Sequence, residues 1–88
     1  MKVLMFYDLA PGGLSRASIH LSAHQSRLRE FHMRGTLLMA GPFGNPPEGA
    51  LGVFTSRDEA EAFIQGDPFV LNEVVASWRL VDWQEVLS

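Results

Sequence analysis

Gly35-Thr36-Leu37-Leu38-Met39-Ala40-Gly41-Pro42-Phe43 carries no charge and follows a polar stretch with helical spacing. It is far shorter than the roughly 20 apolar residues that a membrane-crossing helix needs. The run therefore reads as a buried strand or the first arm of a hairpin, starting near Thr36. Behind it, Asn45-Pro46-Pro47-Glu48-Gly49 reads as a turn, because its prolines cannot continue a regular ladder. Ala50–Thr55 is the returning strand, with Leu51 and Val53 on one face and Phe54 on the other. Gly52 between them leaves room for a close neighbour.

Upstream, Lys2–Asp8 reads as a first strand, with Val3, Met5 and Tyr7 pointing one way and Leu4 and Phe6 the other. Leu9–Leu14 contains Ala-Pro-Gly-Gly, a loop signal. A helix starting at Ser15 or Ser18, either of which can cap it, runs to Arg34, and Gly35 supplies a left-handed stop. Leu21, Leu28 and Phe31 form its inner stripe. His24 falls inside that stripe and points toward the sheet, whereas Arg16, Arg27, Arg29 and Glu30 lie mostly off it.

Downstream, Ser56-Arg57-Asp58-Glu59 has the form of a capping box, in which Ser56 caps and Glu59 reaches back to the Ser56 amide. The helix it opens runs to Gln65 and stops at Gly66. Asp67 then caps a further short turn with Pro68 at its first position. Val74–Val86 is the last strand, with Val74, Ala76, Trp78 and Leu80 alternating against Val75, Ser77, Arg79, Val81 and Trp83.

The resulting order is strand, helix, strand, strand, helix, strand. It implies an α+β fold, a ferredoxin-like βαββαβ sandwich with a four-stranded antiparallel sheet and two helices on one face. Those helices cover one sheet face, yet several strands are apolar on both. The uncovered face is expected to meet a second copy about a two-fold axis, giving a homodimer that packs sheet to sheet.

With 88 residues there is room for one hydrophobic core, so residues 1–88 are read as a single domain. A 47% hydrophobic composition, with two Trp and six Phe, is more apolar material than so small an interior absorbs. Cysteine is absent, which excludes disulfides, thiolate metal sites and cysteine nucleophiles. A net charge of −3 without a basic run argues against nucleic acid as a partner. The apolar run after Met1-Lys2 breaks at Asp8, too early for a signal-peptide core, so a cytoplasmic location is expected and no membrane partner.

Two residues stand out as chemistry-bearing. His24 is either a core histidine satisfied by a backbone carbonyl or a general acid/base at a pocket rim. Asp67 is a helix cap, and a capping carboxylate can also orient an imidazole, fixing its tautomer and stabilising its charged form. His20 and His24 have i, i+4 spacing, but without an HExxH pattern or a third ligand they do not make a metal site. Amides around Gly41-Pro42 or Gly52 are weak oxyanion candidates, and bends explain these glycines as well. No cofactor motif is present: Pro11-Gly12-Gly13 lacks the lysine and spacing of a phosphate loop.

His24, Gly35 with Leu37-Leu38 and Ala40-Gly41-Pro42, Glu59-Ala60 and Asp67-Pro68-Phe69 together resemble the YciI-like (YCII-related) domain over nearly the whole chain. The resemblance implies a ferredoxin-like fold dimerising through its sheets, as in the dimeric α/β barrel superfamily. It also implies a His–Asp pair in a pocket, at His24 and Asp67. Some related proteins eliminate halide from chlorinated aromatics, and the wider superfamily includes lactone isomerases and monooxygenases. Many relatives carry an Arg within the turn before the histidine. Here His20 and Leu21 stand there, with Arg16 a turn further back, which argues against an anionic substrate.

Two functions follow. One is a small cofactor-independent enzyme of lyase, isomerase or hydrolase type, using His24 and Asp67 on a small cyclic or aromatic molecule. The other is a non-catalytic dimeric module that binds a small ligand or a protein, with the same pair as structural partners.

Overall fold

A computed structural model describes all residues, Met1–Ser88. The elements are β1 (Lys2–Leu9), α1 (Gly13–Met33), β2 (Leu37–Phe43), β3 (Gly49–Phe54), α2 (Arg57–Gly66), the single turn α3 (Pro68–Leu71) and β4 (Val75–Trp83). The strands form one antiparallel sheet in the order β2-β3-β1-β4. This is the expected α+β ferredoxin-like arrangement. No helix is long and apolar enough to cross a membrane.

Strand pairing decides which side chains share a face. Val3, Met5 and Tyr7 of β1 lie opposite Phe54, Gly52 and Ala50 of β3. Val3, Met5, Tyr7 and Phe54 are buried beneath the helices, joined by Leu37, Phe31, Ala60, Phe63 and Ile64. Gly52 is where Met5 crosses the sheet: a Cβ there would meet Met5 Cε at 3.1 Å and the Phe54 ring at 3.2 Å. The opposite face carries Leu4, Phe6, Leu51, Val53 and Val81, with Met39, Phe43 and Trp83 well exposed. The Phe6 ring stacks on Phe43 at 6.2 Å, and the Arg79 guanidinium sits 4.2 Å above Phe6.

Both ends of α1 are anchored, but by other means at its start than serine capping. The helix begins at Gly13, and its N-cap is Gly12, with φ 71° and no side-chain cap. Ser18 Oγ instead donates back to the Ser15 carbonyl at 2.9 Å. Gly13 lets this end dock closely, since a Cβ there would lie 2.7 Å from the Val74 carbonyl oxygen. At the far end Gly35 has φ 81°, its N–H donates to His32 O, and Thr36 N–H donates to Phe31 O. That pair of bonds is a Schellman motif, so the left-handed stop at Gly35 is observed.

Other local readings need correction. Ser56 Oγ accepts from Glu59 N–H at 3.2 Å, but the Glu59 carboxylate does not return to the Ser56 amide; it accepts from Arg34 at 3.1 Å. Arg27, placed off the inner stripe, is half-buried. Its guanidinium packs over Phe31 and Phe63 and donates to the carbonyls of Ala62 and Phe63. A cation suits the carbonyl end of α2, and the stem of an arginine suits the apolar rings beneath it. β4 ends at Trp83, not Val86, because β1, its only partner, pairs Lys2 with Trp83 and goes no further. Its alternation is also broken by a register shift between Asp8 and Leu9, so Val75 as well as Leu80 packs on the core. His32 is exposed, although its Nδ1 lies 2.8 Å from the Leu37 carbonyl.

Candidate functional site

Between its anchored ends, α1 stands off the sheet. Only Gly13 and Phe31 of the helix are buried, and Leu21 is 44% exposed where the stripe predicts core. The gap is a cleft of about 360 Å³. Leu14, Leu21 and Leu28 form its helical wall, Met5 and Tyr7 its floor, and the β2–β3 hairpin its far wall. No Lys, Arg, Asp or Glu lines it. Arg16, eight residues before His24, is tied to the backbone carbonyls of Glu73 and Pro11.

His24 and Asp67, forty-three residues apart, meet at the inner end of this cleft: His24 Nδ1 lies 2.7 Å from Asp67 Oδ1. The Asp67 side chain is fully buried and is the one buried charged residue of the chain. It caps α3, accepting from Phe69 N–H at 3.2 Å, with Pro68 in the first helical position as the sequence predicts. Its second oxygen, Oδ2, accepts from the Tyr7 hydroxyl at 2.8 Å. The buried carboxylate thus receives hydrogen bonds from β1, α1 and its own turn.

An ionised carboxylate only accepts, so its partner Nδ1 carries the proton, and in the neutral ring the lone pair is on Nε2. Nε2 has no protein partner, yet no buried side-chain nitrogen or oxygen lacks one, so Nε2 opens to the cleft that His24 lines. The imidazole is held by more than Asp67. The Phe69 ring stacks on it with centroids 3.7 Å apart, and Phe63 meets it edge-on at 6.4 Å. Burial, then the Asp67 charge and hydrogen bond, push the Tyr7 hydroxyl far above the ordinary phenol range, with Arg27 opposing in part. Tyr7 is therefore a donor that keeps its proton. The arrangement presents a single basic nitrogen to an otherwise uncharged, apolar space.

The sequence points to His24 and Asp67, but counts Tyr7 only among the apolar residues of the first strand and Phe69 only as a family mark. A signal for Tyr7 was present. In the inward row Val3-Met5-Tyr7 it is the only side chain with a polar tip, and a buried hydroxyl needs a buried partner. Of the glycines weighed as oxyanion positions, Gly52 is occupied by Met5, while Gly41 lines the cleft.

Comparison with solved structures finds the same fold in 5-chloro-2-hydroxyhydroquinone dehydrochlorinase from Burkholderia phenoliruptrix AC1100, in complex with 2,5-dihydroxybenzoquinone. The TM-score is 0.79 at 21% identity, over 96% of this chain and 94% of that one. No curated protein matches the chain in sequence. The family model of the YCII-related domain matches residues 1–84, and the chain belongs to that family.

Proposed function

We propose that the protein is a small enzyme that works without a cofactor, in which His24 Nε2 exchanges protons with a small, flat cyclic molecule held in the cleft. The observation that carries this reading is the 2.7 Å contact between His24 Nδ1 and a fully buried Asp67, with Nε2 left open to an apolar cleft. A carboxylate behind an imidazole fixes its tautomer and stabilises the charged ring that forms when Nε2 takes a proton. Proton removal from the substrate then leads either to return of the proton at another atom, an isomerisation, or to departure of a leaving group with the released electron pair, an elimination. That the similar dehydrochlorinase is known with a dihydroxybenzoquinone supports a hydroxylated ring as the substrate type.

A cleft of about 360 Å³ is at the small end of ligand pockets and suits one ring with few substituents. Its lack of charged side chains favours substrates without carboxylate or phosphate groups. Residues 1–88 act as one domain in this reading, and two copies pack through the open sheet face, whose Phe6, Phe43, Met39 and Trp83 otherwise meet water.

A thermal-shift panel of hydroquinones, hydroxyquinones and unsaturated lactones, run on wild type and His24→Ala, tests the proposal. A ligand that stabilises the wild type and not the folded variant supports it. A panel in which every stabilising ligand acts equally on both proteins would overturn it.

A further inference from the structure

We infer that Tyr7 is a positioning residue for the His24–Asp67 pair, acting through the second carboxylate oxygen. The inference rests on the acid–base reading above and extends it to a third element of the fold, β1.

A carboxylate with no solvent contact can escape its burial by taking up a proton. A protonated Asp67 would lose the negative charge that stabilises a protonated His24 ring. It could also turn its own O–H toward Nδ1, which would move the ring proton to Nε2 and remove the basic lone pair from the cleft. Tyr7 opposes both routes. Its hydroxyl donates to Oδ2 at 2.8 Å, which occupies the oxygen that would otherwise protonate. It also fixes the rotation of the carboxylate, so that Oδ1 remains the oxygen facing His24 Nδ1 at 2.7 Å and Phe69 N–H at 3.2 Å. A tyrosine suits this place because its rigid ring reaches from the sheet floor to the cap of α3 while its body packs in the core. A serine or threonine on β1 would be too short.

The role is readable by spectroscopy, because the ring nitrogens of His24 report its tautomer directly. Tyr7 is the only tyrosine in the chain, so biosynthetic incorporation of 3-fluorotyrosine alters this hydroxyl and no other. The experiment records ¹⁵N and ¹H spectra of the His24 ring in wild type, Tyr7→Phe, Asp67→Asn, the double variant and the fluorotyrosine protein.

The wild type is expected to show the Nδ1–H tautomer with a downfield Nδ1 proton. Tyr7→Phe is expected to lose that single tautomer, its ring nitrogens shifting toward the average of both forms. The fluorinated phenol, a stronger donor, is expected to draw charge from Oδ1 and move the Nδ1 proton upfield, a result that stands even if Tyr7→Phe does not fold. In the Asp67→Asn background, Tyr7→Phe is expected to change nothing further, because Tyr7 acts only through Asp67. A wild-type Nδ1–H signal that neither Tyr7 change disturbs overturns this role and leaves the acid–base pair standing. A wild type without that tautomer overturns both.

Discussion

The Phe69 ring lies flat against the His24 imidazole, with centroids 3.7 Å apart and planes 5° from parallel. Phe69 is two residues from Asp67, whose Oδ1 accepts both the Phe69 N–H and the His24 Nδ1–H. One short turn thus supplies the in-plane partner and the face partner of the same ring. An aromatic face also favours the charged ring over the neutral one. Phe69→Leu keeps most of the bulk and removes the face. The loss is expected to be about 0.5–1.5 kcal/mol, seen in calorimetric titration as up to about tenfold weaker binding of a hydroxyquinone probe. Unchanged binding would show that Asp67 alone holds the ring.

Asp67→Asn separates charge from shape. The amide oxygen can still cap α3, so the fold should survive, but the negative charge behind His24 is gone and the ring can adopt the other tautomer. Proton-transfer steps are expected to slow by about 100-fold or more. Asp67→Ala is the harsher change. It leaves the Tyr7 hydroxyl, the Phe69 amide and His24 Nδ1 without their acceptor, and should cost about 3 kcal/mol of stability. Urea denaturation of the two variants distinguishes the outcomes: comparable losses of stability in both would mean the charge itself matters to the fold.

The Tyr7 proton links stability to alkaline pH. Burial and the Asp67 charge make the folded chain hold this proton more tightly than the unfolded chain does. The stabilisation is therefore complete below the unfolded value of about 10 and is lost as pH rises above it, by about 1.4 kcal/mol per pH unit. Absorbance of tyrosinate, which only Tyr7 can form here, should stay absent in the folded protein past pH 10 and appear together with unfolding. Tyr7→Phe should lack this share of the alkaline loss. A smooth titration near pH 10 in the folded chain would contradict the buried hydrogen bond to Asp67.

What could be read in advance divides by the distance over which a signal acts. Gly35, Ser56 and the Asp67-Pro68 pair act within a turn or so of themselves, and their backbone roles are as expected. The alternation of β1 also acts locally: it puts Val3, Met5 and Tyr7 on one face and Leu4 and Phe6 on the other, and the packing of the helices makes the first of these the core face. Side chains with long reach were misread. Glu59 had a local partner on offer and took Arg34 instead; Arg27 lies off the inner stripe and yet closes the end of α2. Neither choice is set by neighbours in the chain. The Tyr7–Asp67 contact spans sixty residues, and nothing at either end names the other. The cleft itself was illegible for a related reason: the stripe on α1 predicts contact with the sheet, but the close docking at Gly13 and the wedge of Phe31 decide how far the middle of the helix stands off.

That docking is testable at Gly13. An added methyl would lie 2.7 Å from the Val74 carbonyl oxygen and 2.9 Å from Leu9 Cδ1. Leu9 can move. Val74 O cannot move freely, because it accepts from Ala10 N–H at 2.9 Å. Alanine would gain up to about 1 kcal/mol in helix preference, but overpacking against backbone costs about 1–3 kcal/mol. Gly13→Ala is thus expected to be destabilising overall in urea denaturation, and to shift the start of α1 enough to weaken ligand binding at the Leu14 end of the cleft. A stabilised variant would mean that the helix start is free to move.

The open sheet face carries the remaining prediction. Met39 is 70% exposed and shares that face with Val53, Leu4 and Phe43. A charge at so exposed a position changes the stability of an isolated chain by about 0.5 kcal/mol at most. Inside a packed sheet-to-sheet interface, the same charge would be desolvated without a partner and costs several times more. Met39→Glu is therefore expected to leave the secondary structure intact while converting a dimer to a monomer. Sedimentation equilibrium at micromolar concentration checks this, with a wild-type mass near twice 9.8 kDa and a variant mass near 9.8 kDa. The cleft opens on the helix face, away from this surface, so His24-dependent ligand binding should persist in the monomer unless the second copy steadies α1 or the β2–β3 hairpin. A wild type that sediments as a monomer would instead leave Phe6, Phe43 and Trp83 as a surface for some other partner.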